Sequence, residues 1–163
     1  VPIPWKTARI PFRDRARWAV SIPWGDVSTA YHSTGIPNII FYLAIPWIQI
    51  LGMWLMRPTT PLLRIGPVQR AVKGLIGVAL TGPSAEYRQK NRFQYWGRVT
   101  NAQGRTRAGT IETPNSYYLT ALTAIESVAR VLTGKVPAGF HTPSTAFGPG
   151  YITEFPGCDL RIP

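Results

Sequence analysis

The chain has 163 residues, 45% of them hydrophobic, which is enough to bury the core of one domain. Its single cysteine, Cys158, excludes an internal disulfide framework and a cysteine zinc cluster, and a reducing compartment is therefore expected. The formal net charge of +11 favours an anionic partner without identifying it. Because the basic residues form only loose groups and no recognisable motif, no nucleic-acid partner is expected.

The N-terminal segment has the pattern of β-structure. The chain opens Val-Pro-Ile-Pro, with neither an initiator methionine nor a signal peptide, which indicates a piece of a longer protein. From Lys6 to Val20 polar and apolar residues nearly alternate, which predicts a half-buried strand or a hairpin that turns near Arg13. The following segment, Val27 to Thr34, has β-like composition, and we predict a further strand that ends at Gly35.

An uncharged stretch from Ile39 to Met56 has the length at which a membrane span has to be considered. Pro46 divides it into a β-branched, aromatic half and a half with apolar residues at helical spacing. We predict a strand followed by a helix buried in a core or interface; a membrane-surface helix and a true span are the alternatives. Further helices are predicted from about Leu62 to Leu80 and from Ser84 to Lys90, which makes residues 43–90 a helical excursion within the domain.

The clearest β-prediction is a hairpin in which FQYWGRVT and RTRAGTIET flank the loop Asn101–Gly104. A helix capped by a threonine is predicted from Pro114 to Thr133, and its spacing predicts that Leu122 and Ile125 pack on a sheet. A strand is predicted around Tyr151 to Phe155. The fold class expected from these elements is α+β, with one largely antiparallel sheet covered by helices.

Four segments of the chain, taken in order, resemble one family. They are IPWGDVSTAYHSTGIPNI (22–39), WGRVTNAQGRTR (96–107), TPNSYYLTALTA (113–124) and GFHTPSTAFGPGYITEFPG (139–157). Together they resemble the C-terminal part of the saccharopine dehydrogenase-like (saccharopine reductase-like) oxidoreductases, the subgroup that includes the trans-acting enoyl reductases. The resemblance runs from near residue 9 to residue 157, and residues 43–90 match only in character.

The resemblance implies a two-domain enzyme in which an N-terminal Rossmann domain binds NAD or NADP. Residues 1–163 would form the C-terminal α+β domain, which shapes the substrate side and makes an oligomer contact. The chain has no G-x-G-x-x-G motif, so no cofactor-binding residue is expected in it. The missing Rossmann domain and a second copy are therefore the expected partners, and the 163 residues alone are expected to be inactive.

The location expected for such a protein is the cytoplasm. The apolar stretch Ile39 to Met56 and the positive charge also suggest association with a membrane surface. A second hypothesis stands beside the oxidoreductase. It describes the chain as a non-catalytic module that docks on an anionic membrane surface or dimerises.

The candidate site residues around His32 follow from the resemblance. It implies that Asp26, Thr29, Tyr31 and His32 border a cleft that faces the nicotinamide, with Asp26 and Thr29 on the substrate. His32 or Tyr31 would then be the catalytic group that gives or takes a proton. Plain structural roles, a turn carboxylate for Asp26 and a satisfied sheet residue for His32, are the alternative. A Ser-His-Asp arrangement with Ser28 is disfavoured, because neighbours on a strand point to different faces.

The segment HTPSTAFG supplies the other candidates. Thr142 and Ser144 are expected to bind substrate, with hydrogen bonding within the loop as the alternative role for them and for His141. No metal site is expected, since His32 and His141 are the only histidines and no acid lies at ligand spacing.

Overall fold

The computed structural model describes residues 6–79, 86, 91–134 and 136–162. The fold is α+β, as predicted, with two small antiparallel sheets and helices. The chain divides into two compact units. The first unit consists of Val1–Ile10, Arg17–Trp24 and Ile40–Ser84, and the second of Pro11–Ala16, Gly25–Ile39 and Ala85–Pro163. The prediction of one common sheet is wrong, because the strands form two separate sheets of three strands each.

The first sheet contains β1 (Thr7–Pro11), β2 (Ala16–Ser21) and β3 (Tyr42–Ala44), in the order β1-β2-β3. The turn between β1 and β2 confirms the predicted hairpin. Strand β3 pairs antiparallel with β2, so that Val20 lies opposite Leu43. Val20 is completely buried and forms the centre of this small core.

Residues 26–34 form a helix, α1 (Asp26–Thr34), and the predicted strand at Val27 to Thr34 is wrong. The Val, Thr and Tyr side chains of this segment favour a strand by propensity, but here hydroxyl groups bond within the helix. Ser33 Oγ donates to the carbonyl of Thr29 at 2.8 Å, and Thr34 Oγ1 donates to the carbonyl of Ala30 at 2.7 Å. Gly35, at φ +68°, ends the helix in the left-handed conformation.

Two α-helices and a short 3₁₀ helix follow β3 in the first unit. Helix α2 (Trp47–Met56) begins directly after Pro46, which confirms the prediction of a strand followed by a helix. The predicted burial of this helix in the core of the chain is wrong, because Ile50 is its only buried residue. The predicted second helix is interrupted: a 3₁₀ helix (Arg57–Arg64) precedes α3 (Gly66–Ala79). Within the described residues, no helix combines the length and the apolar character that crossing a bilayer requires. The predicted helix Ser84–Lys90 lies outside the described residues except for Glu86.

The second sheet contains the predicted hairpin, β4 (Phe93–Thr100) and β5 (Thr106–Thr113), with β6 (Asp159–Arg161) on the other side of β5. In the connecting loop, Asn101 Oδ1 accepts hydrogen bonds from two backbone N–H groups, at 3.1 and 2.9 Å. Gly104 adopts φ +77°, which favours a residue without a Cβ atom. The polar loop Asn101–Gly104 that the sequence predicted therefore forms the turn of this hairpin.

Helix α4 (Ser116–Leu132) occupies the segment predicted as helical, but it starts at a different cap. Asn115 Oδ1 accepts from the N–H of Tyr117 at 3.0 Å, so Asn115 and not Thr113 is the N-cap. The buried apolar residue of the helix is Leu119, which is 7% exposed. The predicted burial of Ile125 is wrong, because its side chain is 70% exposed.

The reason for this orientation of α4 is a buried tyrosine. Tyr151 belongs to a 3₁₀ helix (Tyr151–Glu154), where the sequence had predicted a strand. Its hydroxyl donates to the carbonyl of Thr123 at 2.9 Å and lies 3.0 Å from Ser127 Oγ. The guanidinium of Arg130 lies 4.9 Å from the centre of the Tyr151 ring. The polar side of α4 thus faces the protein body, since that side carries the partners that the buried hydroxyl needs.

The apolar side of α4 is consequently exposed and carries no charge. Its exposed residues have apolar or aromatic side chains and define the α4 face: Tyr117, Tyr118, Ala121, Ala124, Ile125, Val128, Val131 and Leu132. Such a continuous apolar surface is typical of a site that another protein surface covers.

Candidate functional site

The structure brings two predicted parts of the site together, α1 and the start of α5 (Pro143–Phe147). The Oγ atom of Ser33 lies 2.7 Å from Oγ1 of Thr142, although the two residues are 109 positions apart in the chain. Both residues belong to the second unit. The resemblance had singled out both segments, and the hydrogen bond joins them directly.

His32 and Tyr31 lie next to this contact on exposed positions near the C-terminal end of α1. The His32 ring meets Phe140 edge to face, with ring centres 5.4 Å apart, and the Tyr31 ring lies 5.8 Å from His32. Among the described residues, the imidazole makes ring contacts and no hydrogen bond. Its two nitrogen atoms are therefore open to a hydrogen bond with a bound molecule.

Ser28 and His32 lie four residues apart on α1 and so share one side of the helix, which removes the strand-based argument against a Ser-His pair. Within the described part of the chain, however, no hydrogen bond joins them. Asp26 is in the first turn, at the other end of the helix. These three side chains are not assembled as a nucleophilic triad, since that requires a chain of hydrogen bonds.

The charge of Asp26 affects the pKa of Tyr95 on β4, a residue that was not among the candidates predicted from the sequence. Burial raises the pKa of the Tyr95 phenol, the negative charge of Asp26 raises it further, and a hydrogen bond with Thr113 opposes the shift. The signal for Tyr95 was its place in the predicted hairpin, where it pairs with Ile111. Thr29, the remaining candidate on α1, is exposed and donates to the carbonyl of Asp26 at 3.2 Å.

Thr142 and Ser144 lie at the N-terminus of α5, and Thr142 is its N-cap. Thr142 is buried, and it forms a capping box with Thr145, whose Oγ1 accepts from the Thr142 N–H at 2.9 Å. Ser144 Oγ lies 3.1 Å from Thr142 Oγ1 and is exposed. The hydroxyl of Thr142 is thus occupied by contacts at the N-terminus of α5 and by the bond to Ser33. The side chain of Ser144 is exposed to solvent and can contact a bound molecule.

A half-buried arginine fixes the edge of the second sheet. The guanidinium of Arg13 donates to Thr110 Oγ1 at 3.0 Å and to the Thr110 carbonyl at 3.2 Å. It also donates to Asp159 Oδ2 at 2.6 Å and to the Asp159 carbonyl at 2.5 Å. The hydrogen bond from Arg13, with a smaller contribution from Arg161, holds the pKa of the Asp159 carboxyl below its ordinary value. All these groups bind one another, which indicates a structural role.

An open cleft of about 580 Å³ lies on the second sheet. Trp96 and Thr110 line it together with Arg161 and Ile162 at the C-terminal strand. The guanidinium of Arg98 lies 5.6 Å from the centre of the Trp96 ring. None of the predicted site residues contributes to this cleft. Among the described residues, no three His, Cys, Asp or Glu side chains are grouped in a way that could hold a metal ion.

Comparison with known proteins gives no relative: the chain matches no protein-family model, no curated protein and no solved structure.

Proposed function

We propose that this chain forms the substrate side of an NAD(P)-dependent oxidoreductase of the saccharopine dehydrogenase-like type. The observation that carries the proposal is the 2.7 Å contact between Ser33 and Thr142. It joins residues 22–39 and 139–157, two of the segments on which the resemblance rests. A substrate-side surface assembled from distant parts of the chain would need such a contact.

The chemistry of the exposed residues supports this assignment. Hydride transfer requires positioning and one group that gives or takes a proton, and the cofactor supplies the hydride. His32 is the best candidate for the proton-transferring group because an imidazole has two nitrogen atoms that can give or take a proton, and this one lies at the surface. Tyr31 lies beside it and is the second candidate, while Asp26, Thr29 and Ser144 offer polar contacts to a substrate.

The residues of this chain do not fit the cofactor itself. A dinucleotide is held by a glycine-rich turn that opens a helix, and the sequence has no G-x-G-x-x-G. NAD or NADP would accordingly be bound by a separate Rossmann domain. The uncharged α4 face is a surface on which that domain, or a second copy of the chain, would pack.

The test uses a longer chain that extends upstream of Val1, and follows the imidazole signals of His32 and His141 by NMR. The 163 residues contain only these two histidines, and in either chain the signal that a His32→Ala variant loses is that of His32. We expect added NADH or NADPH to shift the His32 signal in the longer chain and to leave it unchanged in the 163-residue chain. Cofactor binding without any effect on His32 would contradict its place beside the nicotinamide.

A further inference from the structure

Helix α2 exposes an apolar face. Only Ile50 is buried, and six large apolar residues are exposed. Met56 lies on another side of the helix, and the other five define the α2 face: Trp47, Ile48, Leu51, Trp54 and Leu55. With about 100° between successive residues, these five positions cover a continuous arc of roughly 120°. The α2 face is therefore an unpartnered stripe next to the buried side of the helix.

The charges of the chain are distributed unequally between its two units. All seven acidic residues of the sequence belong to the second unit, and the first unit contains none. The first unit contains seven basic residues: Lys6, Arg9, Arg17, Arg57, Arg64, Arg70 and Lys73. The unit that carries the α2 face is thus purely cationic, and its natural partner is an anionic surface.

The basic and aromatic side chains lie on neighbouring elements of this unit. The guanidinium of Arg57, which follows α2, lies 5.5 Å from the centre of the Trp54 ring. On α3, Arg70 and Lys73 are exposed, and their spacing of three residues places them on the same side of the helix. Tryptophan together with arginine or lysine is the combination that anchors proteins at the boundary between lipid headgroups and acyl chains.

We propose that the first unit docks on an anionic lipid surface through the α2 face. The ten residues of α2 give a length of about 15 Å, so the helix would lie in the plane of the interface. Trp47 and Trp54, seven residues apart, lie on the same side at a separation of about 10 Å and enter the headgroup region together. A second copy that packed through the same unit is a poorer occupant, because that unit would bring another set of cations and no acid.

This inference is independent of the oxidoreductase proposal and is tested by vesicle binding of the 163-residue chain. The probes are phosphatidylcholine vesicles and the same vesicles with phosphatidylglycerol added. We expect binding to the anionic vesicles, weakening as salt is added, and much weaker binding to the neutral ones. Bromine-labelled acyl chains should quench tryptophan emission, and a Trp47→Phe, Trp54→Phe variant should lose most of that quenching.

A matched pair of variants distinguishes binding through the α2 face from nonspecific binding through any exposed apolar residue. Leu55 on α2 and Ile125 on α4 are both 70% exposed aliphatic residues on helices. We expect Leu55→Glu to weaken vesicle binding about tenfold or more and Ile125→Glu to leave it unchanged. For the charges, Arg70→Gln with Lys73→Gln should weaken binding about fivefold per residue. The control variant carries Arg105→Gln and Arg107→Gln on the β-hairpin, so its net charge equals that of the Arg70→Gln, Lys73→Gln variant. We expect this control to bind the vesicles as tightly as the wild type does.

Three results would overturn the proposal. The first is no binding to anionic vesicles, or equal binding to neutral ones. The second is a greater loss with Ile125→Glu than with Leu55→Glu. The third is a lipid-free oligomer that Leu55→Glu dissociates, which would identify a second copy as the occupant of the α2 face.

Discussion

The orientation of α4 can be tested by truncating one residue on each of its sides. Leu119 is 7% exposed and Ile125 is 70% exposed on the same helix. Truncating a buried leucine to alanine removes its transfer free energy and leaves a cavity, which together cost about 2–5 kcal/mol. Truncating an exposed isoleucine changes the free energy of unfolding by no more than about 0.5 kcal/mol, and the higher helix propensity of alanine offsets part of that.

Urea titration of Leu119→Ala and Ile125→Ala, followed by the circular dichroism of the helices, measures this difference. We expect the midpoint of the Leu119→Ala transition to fall clearly and that of Ile125→Ala to match the wild type. The slope of the transition should be the same in all three proteins, since none of the changes alters the surface exposed on unfolding.

The opposite ranking would refute the reasoning. That ranking would mean that α4 packs on the protein through the apolar side that carries Ile125. Tyr151 would then not hold the polar side of α4 against the protein. Equal losses from both variants would mean that the α4 face is covered in solution, and a size measurement over a dilution series would then identify self-association.

Three further predictions concern the second unit. Tyr151→Phe should cost about 1–3 kcal/mol, measured by urea unfolding, because Ser127 and the Thr123 carbonyl lose their buried partner. The pKa of Asp159 is depressed in the folded protein, so its contribution to stability is complete above its unfolded value of about 4 and is lost as the pH falls through the lower folded value. Arg13→Met should therefore lower the thermal midpoint at neutral pH and flatten its decrease in acid. His32→Ala should leave the thermal midpoint nearly unchanged, since the residue is exposed.

Each of these expectations has a clear contrary result. A Tyr151→Phe protein as stable as the wild type would mean that the hydroxyl bonds contribute nothing. An Arg13→Met protein that still loses stability in acid as steeply as the wild type would separate Asp159 from the arginine. A large loss of stability with His32→Ala would assign the imidazole to the core and not to an accessible site.

The sequence predicted the fold where local chemistry decides the structure. The β4-β5 hairpin follows from the Asn101 to Gly104 turn, and the division at Pro46 follows from a residue that cannot donate a backbone hydrogen bond. Helix α1 was missed because its Val, Thr and Tyr residues favour strands by propensity. In the structure the Ser33 and Thr34 hydroxyls bond to preceding carbonyls of the helix, and the left-handed Gly35 ends it.

The burial of α4 could not be derived from its sequence. Apolar spacing identifies a stripe, but the stripe of α4 faces outward because Tyr151, far along the chain, needs polar partners. The contact between Ser33 and Thr142 is likewise nonlocal, and no spacing rule predicts it. The resemblance named both segments of that contact, and the capping role of Thr142 is visible only once α5 is formed.

The central proposal, a substrate-side domain that works with a separate cofactor domain, is tested most directly by nicotinamide cofactor binding. Titration calorimetry would compare the 163-residue chain with a longer chain that extends upstream of Val1. The account predicts micromolar binding of NADH or NADPH by the longer chain, and binding no tighter than millimolar by the 163 residues, which lack the phosphate-binding loop. Micromolar binding by the 163-residue chain, or no binding by the longer one, would contradict it.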